Sequence, residues 1–114
     1  MQPCNVIVAS EAGLGLRSQE DIPDLLGQAM YAEGLILGEQ DLGEAFFNLR
    51  TGLAGEAFQK FTNYQICVAL VLPDHAAYGE RFSELAFEHR SHNRIRFVHS
   101  IEEAITWLCA RGRR

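Results

Sequence analysis

Residues 44–64, EAFFNLRTGLAGEAFQKFTNY, begin as an amphipathic helix that cannot continue unbroken. At about 100° per residue, Phe46, Leu53, Ala54, Ala57 and Phe61 share one face, with Phe47, Leu49 and Phe58 at its borders. Arg50 falls in the middle of that face. An unpaired guanidinium pressed into a core costs several kcal/mol. The sequence therefore predicts one of two outcomes: a restart of the helix near Thr51-Gly52, or a specific anionic partner for Arg50, with Asp41 the nearest candidate within the chain.

The rest of the chain supplies strands and helices in alternation. Residues 5–9 (NVIVA) read as a strand, with a turn at Glu11-Ala12-Gly13 and a possible return strand at 14–17, an N-terminal hairpin. The GLG in this stretch is not a dinucleotide fingerprint, because GxGxxG is incomplete and no helix opens there. Asp21 and Pro23 start a first helix. Its apolar stripe is Ile22, Leu25, Leu26, Ala29 and Met30. Residues 35–37 form a strand. Residues 65–72 (QICVALVL) are apolar almost throughout, as in a strand covered on both faces, and Pro73 ends it. Tyr78, Phe82, Leu85 and Ala86 face inward from a third helix. Ile95, Phe97 and Val98 alternate with Arg94 and Arg96, the pattern of a sheet edge. Ser100 and Glu103 make a capping box for a last helix whose inner face is Ile101, Ala104, Ile105, Leu108 and Cys109, with Gly112 at its stop. This order gives an α/β sandwich in a single domain, 1–114.

Composition narrows the function classes. The 114 residues suffice for one core, and the net charge of -5 disfavours nucleic acid as a partner. The basic tail Arg111, Arg113 and Arg114 reads as solvated. No apolar run reaches the roughly 20 residues that span a bilayer, and no secretory signal is visible. Cys4, Cys67 and Cys109 are odd in number and far apart, which reads as neither a disulfide framework nor a zinc pattern. Cys67 reads as a small buried hydrophobe. A cytoplasmic location is expected.

Ligands of open α/β sheets bind beyond the carboxyl ends of the strands. Those ends carry Glu39, Gln40 and Asp41, then Asp74 and His75, then His99 and Ser100. Such groups can move protons or bind a cation, but they also suit solvated loops and caps. His89 and His92, three apart beside Glu88, are within reach of one metal, yet lack the protease spacing and equally suit a helix C-terminus. Neither a metal nor a cofactor is expected. Thr51, Gly52 and Gly55 suit a cap with close helix–sheet packing. A hydroxyl at a helix start also suits a phosphate contact or a phosphoacceptor.

The central segment resembles the signature of a bacterial family, domain of unknown function 4180. The shared pattern is a pair of Phe, then Leu, a basic residue, TGLAGE, QKF and NY. The likeness extends more loosely over 18–107. Two loops depart from it: Glu88, His89, Arg90, Ser91, His92, Asn93 stand where the family commonly has ESNRGN, and VLPDHAAYG replaces a Gly-Asp-Phe type. More distantly, Thr51-Gly52-Leu53 is similar to the Ser-Gly-Leu helix start of STAS domains (sulfate transporter and anti-sigma factor antagonist). That likeness implies a helix-start Ser or Thr phosphorylated by a partner kinase, on a surface that docks the partner. It also implies a STAS-like sandwich with a mixed, mostly parallel sheet of four or five strands and about four helices.

The expected role is a small regulatory module that binds a protein or an anion around Arg50, Thr51 and Gly52. The alternative is an enzyme or small-ligand protein using Glu39, Asp41, Asp74, His75 and His99, which requires at least three of them in one cavity. Self-association into a homodimer, through the edge strand at 94–98 or an exposed Trp107, is a third expectation.

Overall fold

The apolar run at 65–72 becomes an interior strand. The computed structural model describes residues 4–90 and 92–112. The expectations placed on Ser91, Arg113 and Arg114 lie outside the described residues, as do the side chains of His75 and Arg111. Strands β1 (Val6–Val8), β2 (Gly34–Gly38), β3 (Val68–Val71) and β4 (Ile95–Val98) form one sheet in the order β1-β2-β3-β4. All three pairings are parallel. Along β3, Val68 and Leu70 enter one apolar cluster and Ala69 the other. Burial on both faces removes the need for a polar alternation.

The helices are α1 (Ile22–Ala29), α2 (Glu44–Phe47), α3 (Leu53–Asn63), α4 (Glu80–Glu88) and α5 (Ile101–Gly112). Strand order follows chain order. Right-handed crossovers in a sheet that grows in one direction place the connecting helices on one face. Leu25 of α1, Phe61 of α3 and Phe82 of α4 accordingly share the larger cluster with Leu35, Leu37 and Leu70. The other face is covered by α5, which crosses all four strands. Its Ala104 and Leu108 pack on Ile36, Ala69 and Val98.

Three expectations need correction. No hairpin forms at the N-terminus. Leu16 makes an isolated parallel bridge to Leu42 instead: its N–H donates to the Asp41 carbonyl at 2.8 Å, and its carbonyl accepts from Gly43 N–H at 3.2 Å. Leu16 is fully buried, so this stretch crosses the carboxyl edge of the sheet rather than returning along β1, whose partner is β2.

The buried face of α5 is rotated from the expected one. Ile101 and Ile105 are each 41% exposed, whereas Ala104 and Leu108 are enclosed. Trp107, expected to be exposed, is half-buried against the smaller cluster, with the Arg96 guanidinium 5.1 Å from its ring centre. The start of α5 is capped nearly as predicted. Ser100 Oγ accepts from Glu103 N–H at 3.1 Å, while the Glu103 carboxylate accepts from His99 N–H at 3.0 Å.

Finally, Cys4 and Cys109 are joined in a disulfide across 105 residues. The diagonal path of α5 brings its far end over the entry to β1, a contact that cysteine spacing does not encode. Cys67 is free and half-buried. No helix among the described residues is long and apolar enough to cross a membrane.

Close approach of α5 depends on Gly34. A Cβ there would lie 2.5 Å from Leu108 Cδ2, and Leu108 is fully enclosed. Gly34→Ala is expected to lose about 1–3 kcal/mol of stability through overpacking, read as a lower urea midpoint at unchanged slope. A midpoint equal to the parent's would mean that α5 does not rest on this glycine.

Candidate functional site

The helix does break at the guanidinium. Helix α2 ends at Phe47, and Asn48 turns extended (φ -90°, ψ 98°). A 3-10 turn, Leu49–Thr51, follows, and Gly52 adopts the left-handed region at φ 79° before α3 begins. Short side chains hold the break together. Asn48 Oδ1 accepts from Arg50 N–H at 3.1 Å. The Thr51 hydroxyl lies within hydrogen-bond reach of the Ala45 and Asn48 carbonyls and accepts from Leu53 N–H at 3.2 Å. With one hydrogen to give, it serves one carbonyl at a time. Thr51 thus fastens the end of α2 to the start of α3.

The restart keeps Phe46, Leu53, Ala54, Ala57, Phe58 and Phe61 buried and leaves Arg50 exposed. Arg50 does not pair with Asp41. Among the described residues its guanidinium makes no ion pair, the one such contact being His99–Glu103. Gly52 and Gly55 do not mediate packing on the sheet either, since a Cβ at either would meet nothing within 4 Å. Gly52 is present for its backbone angle.

The break leans against the start of α4 and shapes a groove. The Phe47 ring stacks on Tyr78 at 3.9 Å and 10°, and Phe82 lies 5.3 Å from Phe47. These rings and Leu49 line a cavity of about 410 Å³ that Arg50 and Arg81 also border. Gly79, at φ 102°, precedes α4 and offers it no side-chain cap. The groove runs on along α4 past Leu85, Glu84 and Glu88. One end therefore carries Arg50 and Arg81, with Glu80 between the two stretches, over an aromatic floor, and the other carries Glu84 and Glu88.

The carboxyl edge of the sheet is organised differently. A cavity of about 240 Å³ lies among Ser10, Gly38, Glu39, Gln40, Asp41 and Pro73. Among the described side chains it gathers Glu39 and Asp41 but neither Asp74 nor His99. Asp41 Oδ2 accepts from Gly38 N–H at 2.8 Å, closing the 3-10 turn Glu39–Asp41. Asp74 Oδ1 accepts from Ala76 N–H at 3.2 Å within its own turn. His99 Nδ1 lies 3.6 Å from Glu103 Oε1. Among the described residues no three His, Cys, Asp or Glu side chains are grouped to hold a metal.

His89 and His92 sit with ring centres 5.0 Å apart, but each uses Nδ1 on backbone. His89 Nδ1 donates to the Leu85 carbonyl at 2.9 Å. His92 Nδ1 accepts from the N–H groups of Arg94 and Ile95, both at 3.0 Å, so it carries no proton and sets the entry to β4. Burial lowers the His92 pKa from its ordinary 6.5, and His89, Arg94 and Arg96 lower it further.

Sequence reasoning singled out Arg50, Thr51 and Gly52 but neither Arg81 nor the Phe47–Tyr78 stack, which border the same groove. The available signal was weak: two aromatics at α-helix borders, 31 positions apart (78 − 47), with nothing in the spacing to pair them.

The profile of the family described as Domain of unknown function (DUF4180) matches residues 1–108. The chain belongs to this family. No curated protein and no solved structure matches.

Gly52→Ala is expected to cost about 1 kcal/mol from its left-handed backbone alone, whereas Gly55→Ala, inside α3 with open space around it, should gain up to about 1 kcal/mol. Chemical denaturation of the two variants checks this; equal effects at both positions would contradict it.

A second expectation concerns pH. With its folded pKa below 6.5, His92 takes a proton more readily in the unfolded chain. Its contribution is therefore complete above about pH 6.5 and is lost as pH falls through the lowered folded pKa. His92→Asn keeps an acceptor oxygen but does not titrate. The variant should lose less stability than the parent between about pH 7 and pH 5; identical pH profiles would refute the role.

Proposed function

We propose that the protein is a small regulatory binding module that grips an anionic group of a partner protein at the end of the groove that carries Arg50 and Arg81. The observation that carries this reading is the Arg50 guanidinium, without an ion pair among the described residues, on the rim of a cavity shared with Arg81 and Glu80 and floored by Phe47, Tyr78 and Phe82. A guanidinium fork suits carboxylate or phosphate recognition. Aromatics beside Arg are the residues that dominate binding energy when a partner covers them. The acidic run of Glu84 and Glu88 farther along the groove would orient that partner by repelling its anionic end.

The STAS likeness supports the same surface, since it rests on the Thr51-Gly52-Leu53 helix start that forms the hinge of the groove. Here Thr51 acts through its backbone ties, which a phosphate on its oxygen would sever. The cytoplasm is the proposed location. The enzymatic alternative needs three carboxyl-edge groups in one cavity, and among the described side chains Glu39 and Asp41 are the two that line it. Sedimentation velocity distinguishes a homodimer from a heterologous partner.

The test is a titration with inorganic phosphate and with a short polyglutamate peptide, followed by amide NMR shifts. Shifts should centre on 47–50 and 78–82. Arg50→Ala should weaken binding about tenfold, equivalent to about 1.4 kcal/mol, while its stability stays within about 0.5 kcal/mol of the parent. Unchanged affinity in that variant, or shifts confined to the carboxyl edge, would sink the proposal.

A further inference from the structure

The two faces of the sheet are held very unequally. The larger cluster draws on α1, α2, α3 and α4. The smaller has five buried residues, and α5 contributes Ala104 and Leu108 to them. Ile101 and Ile105 remain substantially in water. Interactions at its first turn, Ser100 and Glu103 with the backbone, anchor one end of α5. Beyond Leu108, the tie among the described side chains is the disulfide from Cys109 to Cys4, which lies just before β1. Cys67 belongs to the same face: it packs at the border of the smaller cluster, with Arg94 Nη1 3.9 Å from its sulfur.

We propose that the Cys4–Cys109 bridge is a redox clasp: oxidised, it pins the far end of α5 to the sheet, and reduced, it lets that end lift and uncover the smaller apolar face with Cys67. The reductant is a dithiol. One of its thiolates attacks a bridge sulfur and releases the other cysteine as a thiol. Its second thiolate then attacks its own sulfur in the mixed disulfide and expels the remaining cysteine as a thiolate, leaving Cys4 and Cys109 reduced and the dithiol oxidised. In a reducing compartment such bridges are transient or sensing rather than permanent. The larger cluster shares no helix with the smaller one, so the sheet and its four other helices keep their own core when α5 loosens. The inference goes beyond the binding reading and uses no residue of the groove.

The experiment compares the full chain, oxidised and treated with dithiothreitol, by hydrogen exchange with disulfide mapping. Mapping should find Cys4 linked to Cys109. Reduction should speed exchange of amides 106–112 by about tenfold or more while β3 amides stay protected, and reoxidation should reverse it. The double variant Cys4→Ser, Cys109→Ser should match the reduced chain whether or not reductant is present. Its Cys67 should be alkylated several-fold faster than in the oxidised parent. Equal protection of α5 in both states overturns the clasp. So does joint loss of protection in α5 and β3, which would make the bridge a staple of the whole fold. Failure of Cys4 and Cys109 to pair under oxidation overturns it as well.

Discussion

A guanidinium must stay in water or find an anion, and in this chain that demand decides where α3 begins. A straight helix from Glu44 would carry Arg50 into the face that holds Phe46 and Phe61. Desolvating it there would cost several kcal/mol, comparable with the whole margin of stability of a small domain. The chain instead gives up α-helical hydrogen bonds over 49–52. Asn48 and Thr51 supply substitutes from their side chains. The restart also resets the helical phase, so Leu53, Ala54, Ala57, Phe58 and Phe61 all reach the core. Phe46 stays buried against Phe58 and Phe82, each ring centre 5.9 Å away. The groove is a consequence of this break: the short α2 stops with Phe47 turned toward Tyr78, and the 3-10 turn holds Arg50 out beside it.

The sheet imposes a second constraint. Four parallel strands laid down in chain order leave one face without any connecting helix. An element outside the β1–β4 run must cover it, and α5 does so. A single helix lying diagonally over four strands cannot enclose its whole apolar stripe, which explains why Ile101 and Ile105 stay exposed while Leu108 sits directly over Gly34. The same diagonal carries Cys109 to Cys4. The bridge ties together positions 105 residues apart in the chain, on the face that has fewer buried side chains.

These two constraints also explain what was legible. The strands at 5–9, 35–37, 65–72 and 95–98 announce themselves through local apolar runs, and the break at Thr51-Gly52 through a local conflict of phase. Both signals lie within about one helical turn or one strand. The missing hairpin, the rotation of α5 and the Cys4–Cys109 bridge depend on which elements become neighbours in space. So does the groove: Arg50 and Thr51 were visible because they break a pattern, whereas Arg81 fits its helix without conflict and gains meaning only from the turn opposite it.

Asp41 shows why the carboxyl edge is a weaker claim to function than its residue types suggest. It is the one buried charged side chain among the described residues, at 6% exposure, the kind of group that invites a catalytic reading. Yet its carboxylate accepts the Gly38 N–H at the end of β2, and its carbonyl accepts the Leu16 N–H. Both contacts satisfy backbone donors where a strand ends and an irregular segment crosses it, groups that are costly to bury unpaired. The acid is therefore committed to holding the sheet edge closed. Arg50 is in the opposite situation: the backbone rearranges to keep it in water, and no described side chain answers its charge. A buried group with its partners in place has a structural explanation already. An exposed cation bordering an aromatic cavity, with neither burial nor a partner to account for it, is where a ligand would add something the fold does not supply.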